Sequence, residues 1–145
     1  MSRTSIYLNF ERNAEEAFNF YKTVFGTEFL FPIDRFGSVP PMDGQLPVSQ
    51  EDQNLVMNVQ LPILGGAILM GNDAPQSMGY KINKGNNVLI NLEPDTLAET
   101  EILFAKLSVD GVVKSPLNKE FWGVYGECID KFGIQWMFNL AEIAK

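Results

Sequence analysis

The sequence contains no histidine and only one cysteine, Cys128, among its 145 residues. Without histidine it lacks the commonest general base and the commonest imidazole ligand for zinc, iron, nickel or copper. Ser-His-Asp and Cys-His mechanisms are therefore excluded within one kind of chain. A single cysteine excludes an intrachain disulfide framework. Basic residues are scarce too: 11 Lys and Arg stand against 18 Asp and Glu, a net charge of −7. With no basic stripe to meet a phosphate backbone, nucleic acid is not an expected partner. Apolar runs are too short for a membrane-spanning helix, and no membrane partner is expected. The opening MSRTSIYLNF lacks the charged segment, apolar stretch and cleavage site of a secretory signal. Together these absences point to the cytoplasm.

What is present reads as one globular domain over residues 1–145, 46% hydrophobic and 20% charged. Ser5 to Phe10 alternates, with Ile6, Leu8 and Phe10 on one face and Ser5, Tyr7 and Asn9 on the other, as in a half-buried strand. Asn13 and Glu16 form a capping-box pattern before a helical stripe of Ala14, Ala17, Phe18, Tyr21, Val24 and Phe25, with Gly26 as the stop. Thr27 to Phe36 reads as a strand with Pro32 at an edge or bulge. The Pro-rich stretch 37–53 reads as loop. Leu55 to Leu61 and Ala67 to Gly71 read as a hairpin about Gly65 and Gly66. A further strand is expected over Asn87 to Glu93. A second helix, capped by Asp95 or Thr96, runs to about Val109 and ends at Gly111. Val112 to Leu117 is a strand, and Phe121 to Asn139 is a long hairpin turning on Asp130-Lys131-Phe132-Gly133.

That order is β-α-β-β-β, twice. Ile6 to Glu11 matches Val88 to Glu93 at an offset of 82, with Asn and Glu identical. Gly66 to Asn72 matches Gly133 to Asn139 at an offset of 67, with Gly, Met and Asn identical. The difference, 82 − 67, places about fifteen extra residues in the first module, most simply in the 37–53 loop.

The stretches YLNFERNAEEAFNFYKTVFG, GAILMGNDAPQSMG, GNNVLINLEPD and FWGVYGECIDKFGIQWMFN resemble the vicinal oxygen chelate superfamily of glyoxalase, bleomycin-resistance and extradiol dioxygenase proteins. More narrowly they resemble its PhnB-like branch, which carries the label 3-demethylubiquinone 3-methyltransferase-like. The resemblance implies an α+β fold: two tandem βαβββ modules, about 5–72 and 87–139, forming a curled mixed-sheet cup with the helices outside. Metal-dependent members place a His on the first strand of each module and a carboxylate on the last. The matching positions here are Ser5 or Tyr7, Asn87 or Leu89, and the neighbourhoods of Met70 and Met137. None offers a His or a carboxylate, so no metal and no cofactor are expected there. No G-x-G turn of the kind that feeds a methyl-donor site occurs in the chain.

Strand parity places Asn9 and Asn91 opposite the helix-packing side, where an amide can fix a ligand or satisfy nearby backbone. Glu11 and Glu93 read either as a carboxylate pair or as solvated strand ends. Met70 and Met137 read as packing or pocket lining. Cys128 reads as inert and buried, and Trp136 as helix-side core with Ile134 and Phe138. The parity of the 121–130 strand is open. The expected ligand-binding set is Tyr7, Asn9, Ile68, Met70, Leu89, Asn91, Gln135 and Met137, mostly apolar with neutral amides. Such a set suits a small apolar or aromatic molecule. An anionic substrate would need Arg35 or Lys119 to reach in. The competing reading is a metal-dependent lyase, isomerase or dioxygenase that uses Glu11, Glu93, Asp34 or Glu127. The resemblance also implies a homodimer, with loop 37–53 as a lid or an arm.

Overall fold

Alternating side chains give each strand one apolar edge, and each module supplies one amphipathic helix to cover the sheet those edges make. The computed structural model describes residues 2–41 and 43–141, which fall into two compact units, one ending at Asn83 and the other beginning at Lys84. The first unit contains β1 (Ile6–Phe10), α1 (Ala14–Phe25), β2 (Asp34–Arg35), β3 (Val56–Pro62) and β4 (Ile68–Asp73). Its strands lie in the order β1-β4-β3-β2, with β1 and β4 parallel and the rest antiparallel. The second contains β5 (Ile90–Leu92), α2 (Leu97–Ser108), β6 (Val112–Glu120), β7 (Gly123–Ile129) and β8 (Gln135–Ala141). Its order is β5-β8-β7-β6, with β5 and β8 parallel. The expected βαβββ plan occurs twice, as an α+β fold of two four-stranded mixed sheets. No helix of the described residues is long and apolar enough to cross a membrane.

In the first unit α1 buries Ala14, Ala17, Phe18, Tyr21 and Val24. Phe18 packs edge-on to Phe10 and Tyr21, with ring centroids 6.1 and 5.7 Å apart. Phe18 can settle this low because β4 carries Gly71, where an added Cβ would lie 2.6 Å from the Phe18 ring and 2.8 Å from Leu8 O. Gly71→Ala is therefore expected to overpack the core and cost about 2 kcal/mol. A urea titration showing no loss would mean that helix and sheet can separate without penalty.

Helix α1 is not opened by its own capping box. Asn13 makes no side-chain cap, and the Ala14 N–H instead donates to Asp73 Oδ1 at 2.9 Å, a carboxylate at the end of β4. The C-terminus is as expected, with Gly26 left-handed at φ 66° and its N–H donating to Lys22 O.

The second unit buries Leu92, Leu103, Phe104, Leu107, Cys128, Trp136 and Phe138. Here the cap is local: the Glu99 N–H donates to Thr96 Oγ1 at 3.1 Å. The helix ends at Ser108 with Val109 as its cap, and Asp110, one residue before the expected Gly111, takes the left-handed conformation at φ 57°. Gly111 serves a different purpose, since a Cβ there would strike the backbone oxygen of Ile129.

Two further expectations need correction. The strand expected over Thr27 to Phe36 forms only at Asp34–Arg35. Leu30 N–H still reaches Gln60 O at 3.1 Å, but Pro32 has no N–H to continue the ladder. The repeat alignment also slips. Tyr7 pairs with Met70 in the first unit, whereas Asn91 pairs with Met137 in the second. By register, then, Asn91 stands where Tyr7 stands, two residues from its sequence match Asn9. A slip of two keeps the same face. The extra residues do fall where expected: 36–55 join β2 to β3, while only 121–122 join β6 to β7. Loop 37–53 leaves and returns at one point, where Gly37 N–H donates to Gln53 O at 2.9 Å.

Candidate functional site

On the first sheet, Leu69, Gly71 and Asp73 point toward α1 and are buried, so Ile68, Met70 and Asn72 occupy the helix-free face. Tyr7 and Asn9 stand beside Met70 and Asn72, and Gln60 flanks Met70 from β3. Four of the expected residues, Tyr7, Asn9, Ile68 and Met70, thus share one face. Tyr7 is exposed and Met70 half-buried. The Met70 sulfur accepts from Ser5 Oγ at 3.2 Å and meets Arg3 Nη2 at 3.9 Å.

On the second sheet, buried Val124, Gly126 and Cys128 face α2, which resolves the parity of β7. Tyr125, Glu127 and Ile129 face the other way, beside Asn139, Met137 and Gln135. Asn91 and the expected Gln135 and Met137 share that face, and Leu89 precedes β5 with the same parity. Asn91 is already engaged, accepting from Asn139 Nδ2 at 2.7 Å and donating to Glu93 at 3.1 Å. Gln135 Nε2 donates to Gly85 O at 2.6 Å. The Tyr125 hydroxyl donates to Glu127, which pushes the phenol up to about 12. The sequence reading left Asn58, Gln60 and Asn72 out of the ligand set and took Tyr125 as aromatic surface on a strand whose inner face was open. The alternation of Asn58 and Gln60 with buried Val59 and Leu61 was the signal available.

The charged residues near the first sheet hold the fold together. Glu15 grips Arg35 through both oxygens at 2.9 Å, and Asn54 O takes the guanidinium at 2.8 Å. The Arg35 hydrogen bonds hold the Glu15 carboxyl below its usual range. Arg35 is thus committed away from the role of an anion clamp. Asp52, buried at the end of the inserted loop, accepts from Ser77 Oγ at 2.7 Å and Arg12 Nη1 at 2.8 Å. Those two partners hold its carboxyl below the usual range and fasten the 50–52 turn. Lys119 lines a separate hollow of about 390 Å³ with Leu97, Val124 and Leu140, on the α2 side of the second sheet. Cys128 is 1% exposed, and burial pushes its thiol up, the opposite of an activated nucleophile.

At the positions where the resemblance implies metal ligands stand neutral side chains. Met70 and Met137 offer thioethers, and the Ser5 hydroxyl is turned to the Met70 sulfur. The carboxylates of the competing reading are spread out. Glu11 accepts from Gln76 N–H at 2.9 Å, Glu93 from Asn91, Glu127 from Tyr125, and Asp34 is exposed on β2. Among the described residues no three His, Cys, Asp or Glu side chains gather as a set that could hold a metal.

Element order and sheet order define a protein of the glyoxalase, bleomycin-resistance and dioxygenase fold. A domain of that description from Frankia sp. EAN1pec superimposes with a TM-score of 0.64 over 98% of each chain, at 11% identity, a likeness of fold alone. The family model described as 3-demethylubiquinone-9 3-methyltransferase matches residues 2–138, and the chain belongs to that family. It is 26% identical to protein YjdN of Escherichia coli K12, over 95% of each chain. It is 29% identical to protein PA1353 of Pseudomonas aeruginosa, whose structure gives a TM-score of 0.82 over 97% of this chain and 98% of that one. The PhnB protein of Bacillus cereus is 27% identical, with a TM-score of 0.72 over 97% and 100%.

Proposed function

We propose that this PhnB-like protein binds a small, flat, apolar or aromatic molecule on the helix-free faces of its sheets. One observation carries the reading: each sheet has a covered face and a half-exposed face, and the latter gathers Tyr7, Ile68 and Met70 in one unit and Leu89 and Met137 in the other. Around these apolar groups stand neutral amides, the make-up of a small-molecule site. Arg12 and Arg35 are held by carboxylates, and the guanidinium beside this face is that of Arg3, next to the Met70 sulfur.

A thermal-shift screen of flat aromatic compounds tests the reading. A ligand at about a hundred times its Kd stabilises the fold by about 2.7 kcal/mol, enough to raise Tm by several degrees. Met137→Trp fills the face beside Asn91 and Glu127 and is expected to abolish that shift for ligands of the second unit. Hits that stabilise wild type, Met137→Trp and the matching Met70→Trp of the first unit equally would move the search to the hollow beside Leu97 and Val124.

A further inference from the structure

Four carboxamides share the helix-free face of the first sheet. Asn9 stands beside Asn72, Gln60 stands beside Met70, and Asn58 lies two residues from Gln60 with the same parity. Hydrogen bonds orient part of this cluster. Gln60 Nε2 donates to Asn58 Oδ1 at 3.3 Å, and Asn58 Nδ2 donates to Tyr7 Oη at 3.5 Å. The donors therefore point toward Tyr7 and leave an oxygen at the origin of the chain. That oxygen, Gln60 Oε1, is buried and meets no donor, and Asn72 Oδ1 on the same face is buried and meets none.

A buried carbonyl without a donor keeps the cost of losing water uncompensated. Two of them on one face, beside exposed Tyr7 and half-buried Met70, ask for a partner that supplies N–H or O–H groups and an apolar body. An anionic group would meet Arg3 at the edge of this face but be repelled at the two amide oxygens, so the end of the ligand that reaches them carries a donor and no negative charge. A cationic partner is disfavoured by the guanidinium of Arg3, which already lies 3.9 Å from the Met70 sulfur. Resting on the reading above, we propose that the first unit binds a neutral aromatic molecule bearing hydrogen-bond donors, an aryl amine or a phenol. Its ring lies on Met70 and Tyr7, and its donors meet Gln60 Oε1 and Asn72 Oδ1 once those two amides turn outward from their buried positions.

Calorimetric titration of the full chain with 6-aminoquinoline and 6-methylquinoline, both neutral at mildly alkaline pH, tests this. The two probes match in size and differ in the donor. Wild type is expected to bind the amine roughly tenfold more tightly, the effect of one good hydrogen bond. In Gln60→Met and in Asn72→Leu the preference is expected to shrink toward none while methylquinoline affinity holds. Asn72→Leu should melt no lower than wild type, because an uncompensated polar atom has been replaced by an apolar one, whereas Gln60→Met also gives up the bond to Asn58 and should melt slightly lower. Should one variant fail to fold, the other reads the same preference. Equal binding of both probes to wild type would overturn the donor subsite and leave the aromatic-ligand reading standing. A preference that survives in both variants would also overturn it. Binding of neither probe would count against both readings and leave water as the occupant of these oxygens.

Discussion

Replacing Asp130 with alanine is expected to remove about 4 kcal/mol from the unfolding free energy. The side chain is 3% exposed, and both of its oxygens are engaged. Oδ1 accepts from the Phe132 N–H at 2.8 Å and the Ile134 N–H at 3.1 Å, and Oδ2 accepts from Trp136 Nε1 at 2.9 Å. Hydrogen bonds to a charged acceptor contribute about 1.5–3 kcal/mol each and do not add fully when they share one group. Alanine would strand two backbone donors and the indole of a residue with no exposure at all. Against a typical domain stability of about 5–15 kcal/mol the variant would stand near its unfolding threshold. Urea denaturation followed by tryptophan fluorescence measures the loss. A value under about 1 kcal/mol would mean that water enters the turn and serves the three donors.

The turn around Asp130 was legible in the sequence, because Asp and Gly at its two ends are local signals and Gly133 does take φ 92°. The reach of Asp130 to Trp136 was not, since nothing in the pattern says that an indole six residues on will turn its N–H back into the loop. The helix starts show the same division. Thr96 caps α2 through a residue three positions away, and the sequence narrowed that cap to Asp95 or Thr96. Asn13 had the same local credentials, yet Asp73, 59 residues distant, took the role. A capping pattern states what a side chain can do, and tertiary packing decides whether a better acceptor arrives.

Faces were easier to read than partners. The period of two along a strand put Tyr7, Asn9, Ile68 and Met70 on one side before any pairing was known, and the structure keeps them there. Pairing depends on register, which slipped by two between the modules and set Asn91 rather than Leu89 beside Met137. Amides are harder again. Asn91 is tied to Asn139 and Glu93, while Asn72 has a buried oxygen with no donor. The residue type is identical in each case, and only the neighbours distinguish a satisfied amide from one waiting for a partner.

Asp73→Ala is expected to cost about 3 kcal/mol near neutral pH, and the size of that cost should depend on pH in a defined direction. Asp73 is 2% exposed, and its oxygens accept from the Ala14 N–H at 2.9 Å and the Val56 N–H at 2.8 Å, joining the start of α1 to the start of β3. Alanine would leave both donors without a partner. Burial nevertheless pushes the Asp73 carboxyl above its ordinary value of 3.8, outweighing the two backbone N–H bonds that favour the charged form. A carboxyl whose folded pKa is raised holds its proton more tightly in the folded state. Between the ordinary and the raised value the folded chain therefore binds more protons than the unfolded one, and the contribution of Asp73 to stability falls as pH rises through that window. The stability gap between wild type and Asp73→Ala should thus be widest below 3.8, narrow as pH climbs through the raised value, and stay level above it. Subtracting the variant from the wild type in parallel urea titrations cancels the groups common to both, including Asp52 and Glu15, whose depressed values give the opposite slope. A gap that widens with rising pH would show that the two backbone donors outweigh burial, and that Asp73 is held in its charged form by the helix it caps.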